Sequence, residues 1–150
     1  MASATTIPTI TLILSEGFGE RLGAQRVGEA IAAGLLEAGA PPADLCPVAG
    51  AVLAPERVRQ RLDELDFERR MRAARAVVLA VPALAEETLA PSLAFEGATM
   101  ARQGGVPCYA VTAVNRLNAF DLRILDLQLV IEAGTTRTLR SAGRRLGKLI

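Results

Sequence analysis

Between an apolar run and an amphipathic stretch, the segment Glu16-Gly17-Phe18-Gly19-Glu20-Arg21-Leu22-Gly23 gathers two carboxylates, an arginine and three glycines. A strand, a glycine-bearing loop and a helix N-terminus form the layout of an anion site. Main-chain N–H groups can point at the ligand, and the helix dipole favours negative charge. Glu16, Gly17, Gly19 and Arg21 are therefore candidate ligand-binding residues, for a phosphate or a small organic acid. The loop carries no Lys, His, Ser or Thr, the groups a phosphate site wants.

Other residues with chemical potential are fewer. The glycine spacing G-x-G-x-x-x-G is one residue longer than a dinucleotide fingerprint. The expected second strand ends in Cys46-Pro47-Val48, with no acid to hold a ribose. Ordinary turn glycines are the simpler reading. Asn115-Arg116, after the expected fourth strand, are further ligand-binding candidates, and a turn-shaping role suits the same pair. Glu86-Glu87 precede a helix. Paired carboxylates bind metals or move protons, but acids in a first helical turn are also plain electrostatics, which is the expectation here. The last helix carries Arg137, Arg140, Arg144, Arg145 and Lys148, read as a solvated basic face. No residue is assigned a catalytic or metal-binding role.

The elements that must position these groups alternate along the chain. Apolar runs at Thr9–Leu14, Ala43–Val48, Ala76–Val81, Val106–Val111 and Gln128–Ile131 read as strands, the third ending at Pro82. Between them, Val27, Ile31 and Leu35 mark a helix over Ala24–Ala38, stopped by Gly39-Ala40-Pro41-Pro42. Pro55 opens a charged helix over Glu56–Arg75. Its Val58, Leu62 and Leu65 share one face and its Phe67, Met71 and Ala74 another, which suits a kink or a rotated stripe. A third helix follows Pro91, a short fourth covers Ala119–Leu125, and a fifth covers Thr135–Ile150. Gly143 and Gly147 suit close helix approach, to the sheet or to a second subunit. Strands joined by crossover helices predict an α/β protein, a three-layer αβα sandwich with a mainly parallel, Rossmann-like sheet of about five strands.

Composition bounds the function. The 150 residues are 51% hydrophobic, which predicts one domain with a real core. There is no His, removing the commonest general base and metal ligand. A net charge of +1 with five aromatic residues argues against a nucleic-acid surface. No apolar run approaches a membrane span, and the first ten residues lack a basic, apolar leader. Cys46 and Cys108, without a CxxC, read as separate buried thiols, so a cytoplasmic location is expected.

Several segments then point to a family. Arg26-Val27-Gly28-Glu29-Ala30-Ile31-Ala32-Ala33-Gly34-Leu35 matches a helix of the form E-V-A-E-A-I-A-x-G-L. Leu45-Cys46-Pro47-Val48-Ala49 matches the start of P-V-A-D-G-G-E-G-T, and Ala101 to Val111 matches A-R-x-x-G-V-P-V-x-A-V. These are segments of type I, two-domain glycerate kinases, which the chain resembles over about residues 9–49 and 76–150. The family's opening motif, A-P-D-S-F-K-G-S-L-S-A, has its Asp at Glu16, its first Ser at Gly17, its Lys at Gly19, its next Gly at Glu20 and its later Ser residues at Arg21 and Gly23. Its T-G-E-G-x-x-D segment falls on Leu79 to Ala85, and its G-K pair on Pro91-Ser92. About residues 50–75 stand where the family has its second domain.

The resemblance implies a single kinase-like domain whose motifs are emptied. The expected function is non-catalytic, a pseudoenzyme that works by binding itself, an intact kinase or another protein. Two alternatives are a module that holds a small anionic metabolite at Gly17–Gly23, and a reduced kinase completed by a second chain. No cofactor is expected; ATP and Mg²⁺ would be required only if the family activity survives, as an ATP-dependent phosphotransferase.

Overall fold

The computed structural model describes residues 7–48, 54–86 and 92–150. Its elements are β1 (Thr11–Ser15), α1 (Ala24–Glu37), β2 (Asp44–Pro47), α2 (Pro55–Glu64), α3 (Phe67–Arg72), β3 (Ala76–Leu84), α4 (Leu93–Gln103), β4 (Cys108–Asn115), α5 (Ala119–Leu125), β5 (Leu127–Glu132) and α6 (Thr136–Gly147). The five strands form one parallel sheet in the order β2-β1-β3-β4-β5.

Alternation along the central strands sorts the core into two halves. Leu12, Leu14, Val77 and Leu79 face α2, α3, α4 and α5, where Leu62, Phe67, Met71 and Ala98 are buried. Ile13, Val78 and Ala80 face the other way, against Val27, Ile31 and Leu35 of α1 and Leu139 and Leu146 of α6. Both faces of the sheet are covered, so the strands are apolar throughout, as a parallel sheet requires. The result is the three-layer, Rossmann-like α/β sandwich that the sequence predicts.

Three local expectations change. The charged helix over Glu56–Arg75 is two helices, so six helices stand among the described residues where five were expected. The break is at Asp66, which has a left-handed backbone with φ of 57°. In one straight helix the Val58/Leu62/Leu65 stripe and the Phe67/Met71/Ala74 stripe would lie about half a turn apart. The break rotates the second stripe, so Val58, Leu62, Phe67, Met71 and Ala74 are buried in the same cluster and Leu65 packs against it.

β3 continues through Pro82 to Leu84. β1 ends at Ser15, which pairs with Ala80. Pro82, two residues on, turns its nitrogen to the same side, where no strand needs a donor. β4 likewise runs on to Asn115, because its neighbour β3 is long enough to pair there. Asn115 is thus the last strand residue and Arg116 the first of the loop.

Gly143 and Gly147 approach α1 of the same chain; both would press a Cβ into it. Pro91, Glu87 and Gly50 lie outside the described residues. No helix among the described residues is long and apolar enough to cross a membrane.

Candidate functional site

The order β2-β1-β3 means that the chain leaves β1 to one side and later returns on the other. In parallel sheets ligands bind beyond the carboxyl ends of strands at such a switch point. The loop after β1, Glu16–Gly23, lies at that place.

The loop is held by its own backbone. Glu16 N–H donates to the Ala80 carbonyl at 2.8 Å, tying the loop's first residue to β3. Phe18 N–H donates to the Leu22 carbonyl at 2.8 Å and Leu22 N–H to the Gly19 carbonyl at 3.3 Å, closing a tight turn. The turn needs Gly19 at φ 105°, a conformation that side-chain-bearing residues rarely adopt. The buried Ser15 hydroxyl donates to the Ala24 carbonyl at 2.8 Å, fixing the loop's far end. Gly23 caps α1 without a side-chain hydrogen bond.

The side chains are arranged less like an anion site than the backbone. Phe18 and Leu22 turn into the core beside α1 and α6. Arg21 and Glu20 are exposed. Glu16 is partly buried, and burial pushes its carboxyl above the ordinary glutamate range. No cation is paired with it among the described residues.

Asn115 and Arg116 sit two strands away from Glu16 and about three residues further along the strand direction, roughly 14 Å in all at the usual strand spacing and rise. Asn115 N–H donates to Glu132 Oε2 at 3.1 Å, and its side-chain oxygen accepts from Leu117 N–H at 3.1 Å. Arg116 N–H donates to the Leu84 carbonyl at 2.8 Å, and its side chain is exposed. The Asn115 carbonyl oxygen is thus spent on the turn. The six candidates share the carboxyl edge of the sheet, but they form two separate groups rather than one cluster. No group of three or more Cys, Asp or Glu side chains among the described residues could hold a metal ion.

The most elaborate polar constellation lies at the opposite edge and was not anticipated. Arg70 of α3 reaches Asp44 with Nη2 at 2.6 Å and Nε at 3.0 Å. It also donates to the Leu45 carbonyl at 2.8 Å, the Leu65 carbonyl at 3.1 Å and Cys46 Sγ at 3.4 Å. Asp44 holds the guanidinium above its ordinary arginine value. A signal was present: Arg70 is three residues after Phe67 and four before Ala74, on the buried face of an otherwise solvated helix. With its donors consumed, Arg70 is a clamp between α3 and β2. An open groove of about 580 Å³ beside it is lined by Ile10, Asp44, Asp66 and Arg69 among others.

No protein-family model matches the chain, and no curated protein does. Among solved structures it is similar to an X-ray structure of an oxidoreductase from Corynebacterium diphtheriae, at 11% identity over 95% of this chain and 97% of that one, with a TM-score of 0.49.

Proposed function

We propose that the chain is a non-catalytic, glycerate-kinase-like domain that acts through binding in the cytoplasm. The carrying observation is Gly19. The resemblance assigns the kinase lysine to this position, and its φ of 105° disfavours any residue with a Cβ. At this φ a lysine could not simply be restored to the loop.

The surroundings support the same reading. Phosphoryl transfer requires cations around the moving phosphate and carboxylates for Mg²⁺. The inward ionisable group of this loop is Glu16, whose burial favours the neutral form and which has no paired cation among the described residues. These residues do not fit a nucleotide triphosphate and its metal. The free, buried Cys46 and Cys108 suit a reducing compartment.

The test is a coupled ADP-release assay with glycerate and MgATP. The expected result is no turnover above a protein-free blank. Stoichiometric, glycerate-dependent ADP release by the purified chain would overturn the reading.

One observation favours a second reading, a small anion held at Gly17–Gly23. Gly23 offers no side-chain cap, so the first N–H groups of α1 receive nothing from it. Titration calorimetry with inorganic phosphate and with glycerate decides this: heat that saturates at one equivalent supports it, and no heat removes it.

A further inference from the structure

The two edges of the sheet are finished differently. Val48 N–H donates to the Ser15 carbonyl at 2.8 Å, so even-numbered residues of β2 bond to β1. By alternation Leu45 and Pro47 face outward. Pro47 has no N–H to offer there, and the Leu45 carbonyl is taken by Arg70. A stray strand finds little to pair with on this side.

The edge at β5 has no partner strand among the described residues. Ala133 N–H donates to the Thr112 carbonyl at 2.8 Å, which sets the odd-numbered residues toward β4. The peptide groups of Val130 and Glu132 therefore point away from the sheet, and β4 is the one strand paired with β5 among the described residues. Natural proteins guard such edges with proline, lysine, a bulge or a covering element. The segment Leu127–Glu132 has neither proline nor lysine. Its register irregularity lies near its start, between the pairs of Cys108 and Ala110, which leaves Val130 to Glu132 regular.

Apolar side chains flank this edge on both faces. On one face Phe120 and Ile124, four apart on α5, are 69% and 43% exposed; on the other Leu149, after α6, is 56% exposed. Leu149 borders a groove of about 520 Å³ with Tyr109, Gln128, Leu129, Arg145 and Lys148.

Charge selects the occupant. Toward the amino end of β5, Arg123 lies on the α5 face and Arg145 and Lys148 on the α6 face, and none forms an ion pair among the described residues. Glu132 closes the carboxyl end, on the α5 face that it shares with Val130. On the α5 face, Arg123 at one end and Glu132 at the other face each other when two copies run antiparallel.

We propose that β5 joins two copies of this chain, antiparallel about a twofold axis near Val130, into one continuous sheet. With the axis at Val130, Gln128 of each copy stands opposite Glu132 of the other, which brings that carboxylate, on the α5 face it shares with Val130, to the end where Arg123 of α5 lies. Phe120 and Ile124 come together across the axis on the α5 face. The interface is isologous and closed, so assembly stops at two. This deepens the binding reading by naming the partner and rests on it for its role. Mass and phosphoryl transfer are measured separately, so either can fail alone.

Sedimentation equilibrium of the full chain is expected to give twice the 15.8 kDa chain mass. Hydrogen exchange is expected to show the Val130 and Glu132 amides protected in concentrated solution and unprotected on dilution. Glu132→Lys is expected to halve the mass, and adding Arg123→Glu to restore it. Phe120→Glu, on an exposed position, is expected to weaken association and leave the fold intact. A chain that stays at single mass at every concentration overturns the proposal. So does a dimer whose Val130 and Glu132 amides exchange freely, or an assembly that grows past two.

Discussion

Gly34 of α1 and Gly143 of α6 meet with no room for a methyl group between the two helices. A Cβ on Gly34 would overlap the Arg140 carbonyl oxygen and stand 2.7 Å from the Arg144 nitrogen. One on Gly143 would overlap the Ile31 carbonyl oxygen and come within 3.0 Å of the Gly34 Cα. Gly147 extends the seam, where a Cβ would stand 2.6 Å from that of Ala38. At the surface Glu37 ties the pair, accepting from Arg140 and, at 2.9 Å, from Arg144.

Alanine at Gly34 is therefore expected to destabilise. In an ordinary helix the change gains up to about 1 kcal/mol. Here it forces the backbones apart, an overpacking cost of about 2–3 kcal/mol. Glu37→Ala, which removes only exposed ion pairs, should cost less than about 1 kcal/mol. Urea unfolding of the two variants measures the difference. A Gly34→Ala protein as stable as the parent would mean that the helices are not in backbone contact.

The Arg70 clamp gives a second prediction. Arg70→Met keeps the apolar stem but strands Asp44 and the Leu45 carbonyl. Hydrogen bonds to charged groups contribute about 1.5–3 kcal/mol, and the partial exposure of Asp44 lets water recover some of this, leaving about 1–2 kcal/mol. Arg70→Lys should recover less than half, because one ammonium cannot replace a planar fork that bonds two carboxylate oxygens and two carbonyls. Thermal unfolding of both variants tests this; equal stability of the Lys variant and the parent would show that charge alone matters.

What the sequence disclosed follows from which forces are local. Buried strands such as Ala76–Val81 and the stripe Val27-Ile31-Leu35 announce themselves, because burial on both faces or on one face writes a period into the chain. The fold class was legible for that reason. The extension of β3 past Pro82 was not, because whether a proline is tolerated depends on where a neighbouring strand stops. The break at Asp66 left a trace in two out-of-phase stripes, but its place is set by packing against the sheet. The loop at Gly17–Gly23 was legible as geometry. That Glu16 would be partly buried while Arg21 stays exposed depends on Phe18 and Leu22 folding inward. Asn115 and Glu132, seventeen residues apart, meet only because β4 and β5 pair.

The two cysteines carry a third prediction. Both are buried, and burial pushes the Cys108 thiol up to about 12 and raises Cys46 as well. At pH 8 Cys108 is therefore held as the thiol, and the thiolate is the form that reacts. Iodoacetamide should label neither residue in the native protein within hours and both within minutes in denaturant, read by intact mass. Fast native labelling of either would reveal an opening that exposes the core.

Glu16 gives the last prediction, and its sign is the reverse of an ion-paired acid. Burial raises its carboxyl in the folded state above the unfolded value. Below about pH 4 both states hold the proton and no penalty arises. As pH rises, the unfolded chain ionises first, and the folded state is progressively disfavoured until its own raised value is passed. Glu16→Gln removes this penalty while keeping the shape. The variant should therefore be more stable than the parent at pH 7, with the gain vanishing near pH 3.5, as read by paired denaturant curves. If Glu16 instead served a bound cation or a hydrogen-bonded network, the substitution would cost stability at pH 7, and the two curves would cross the other way.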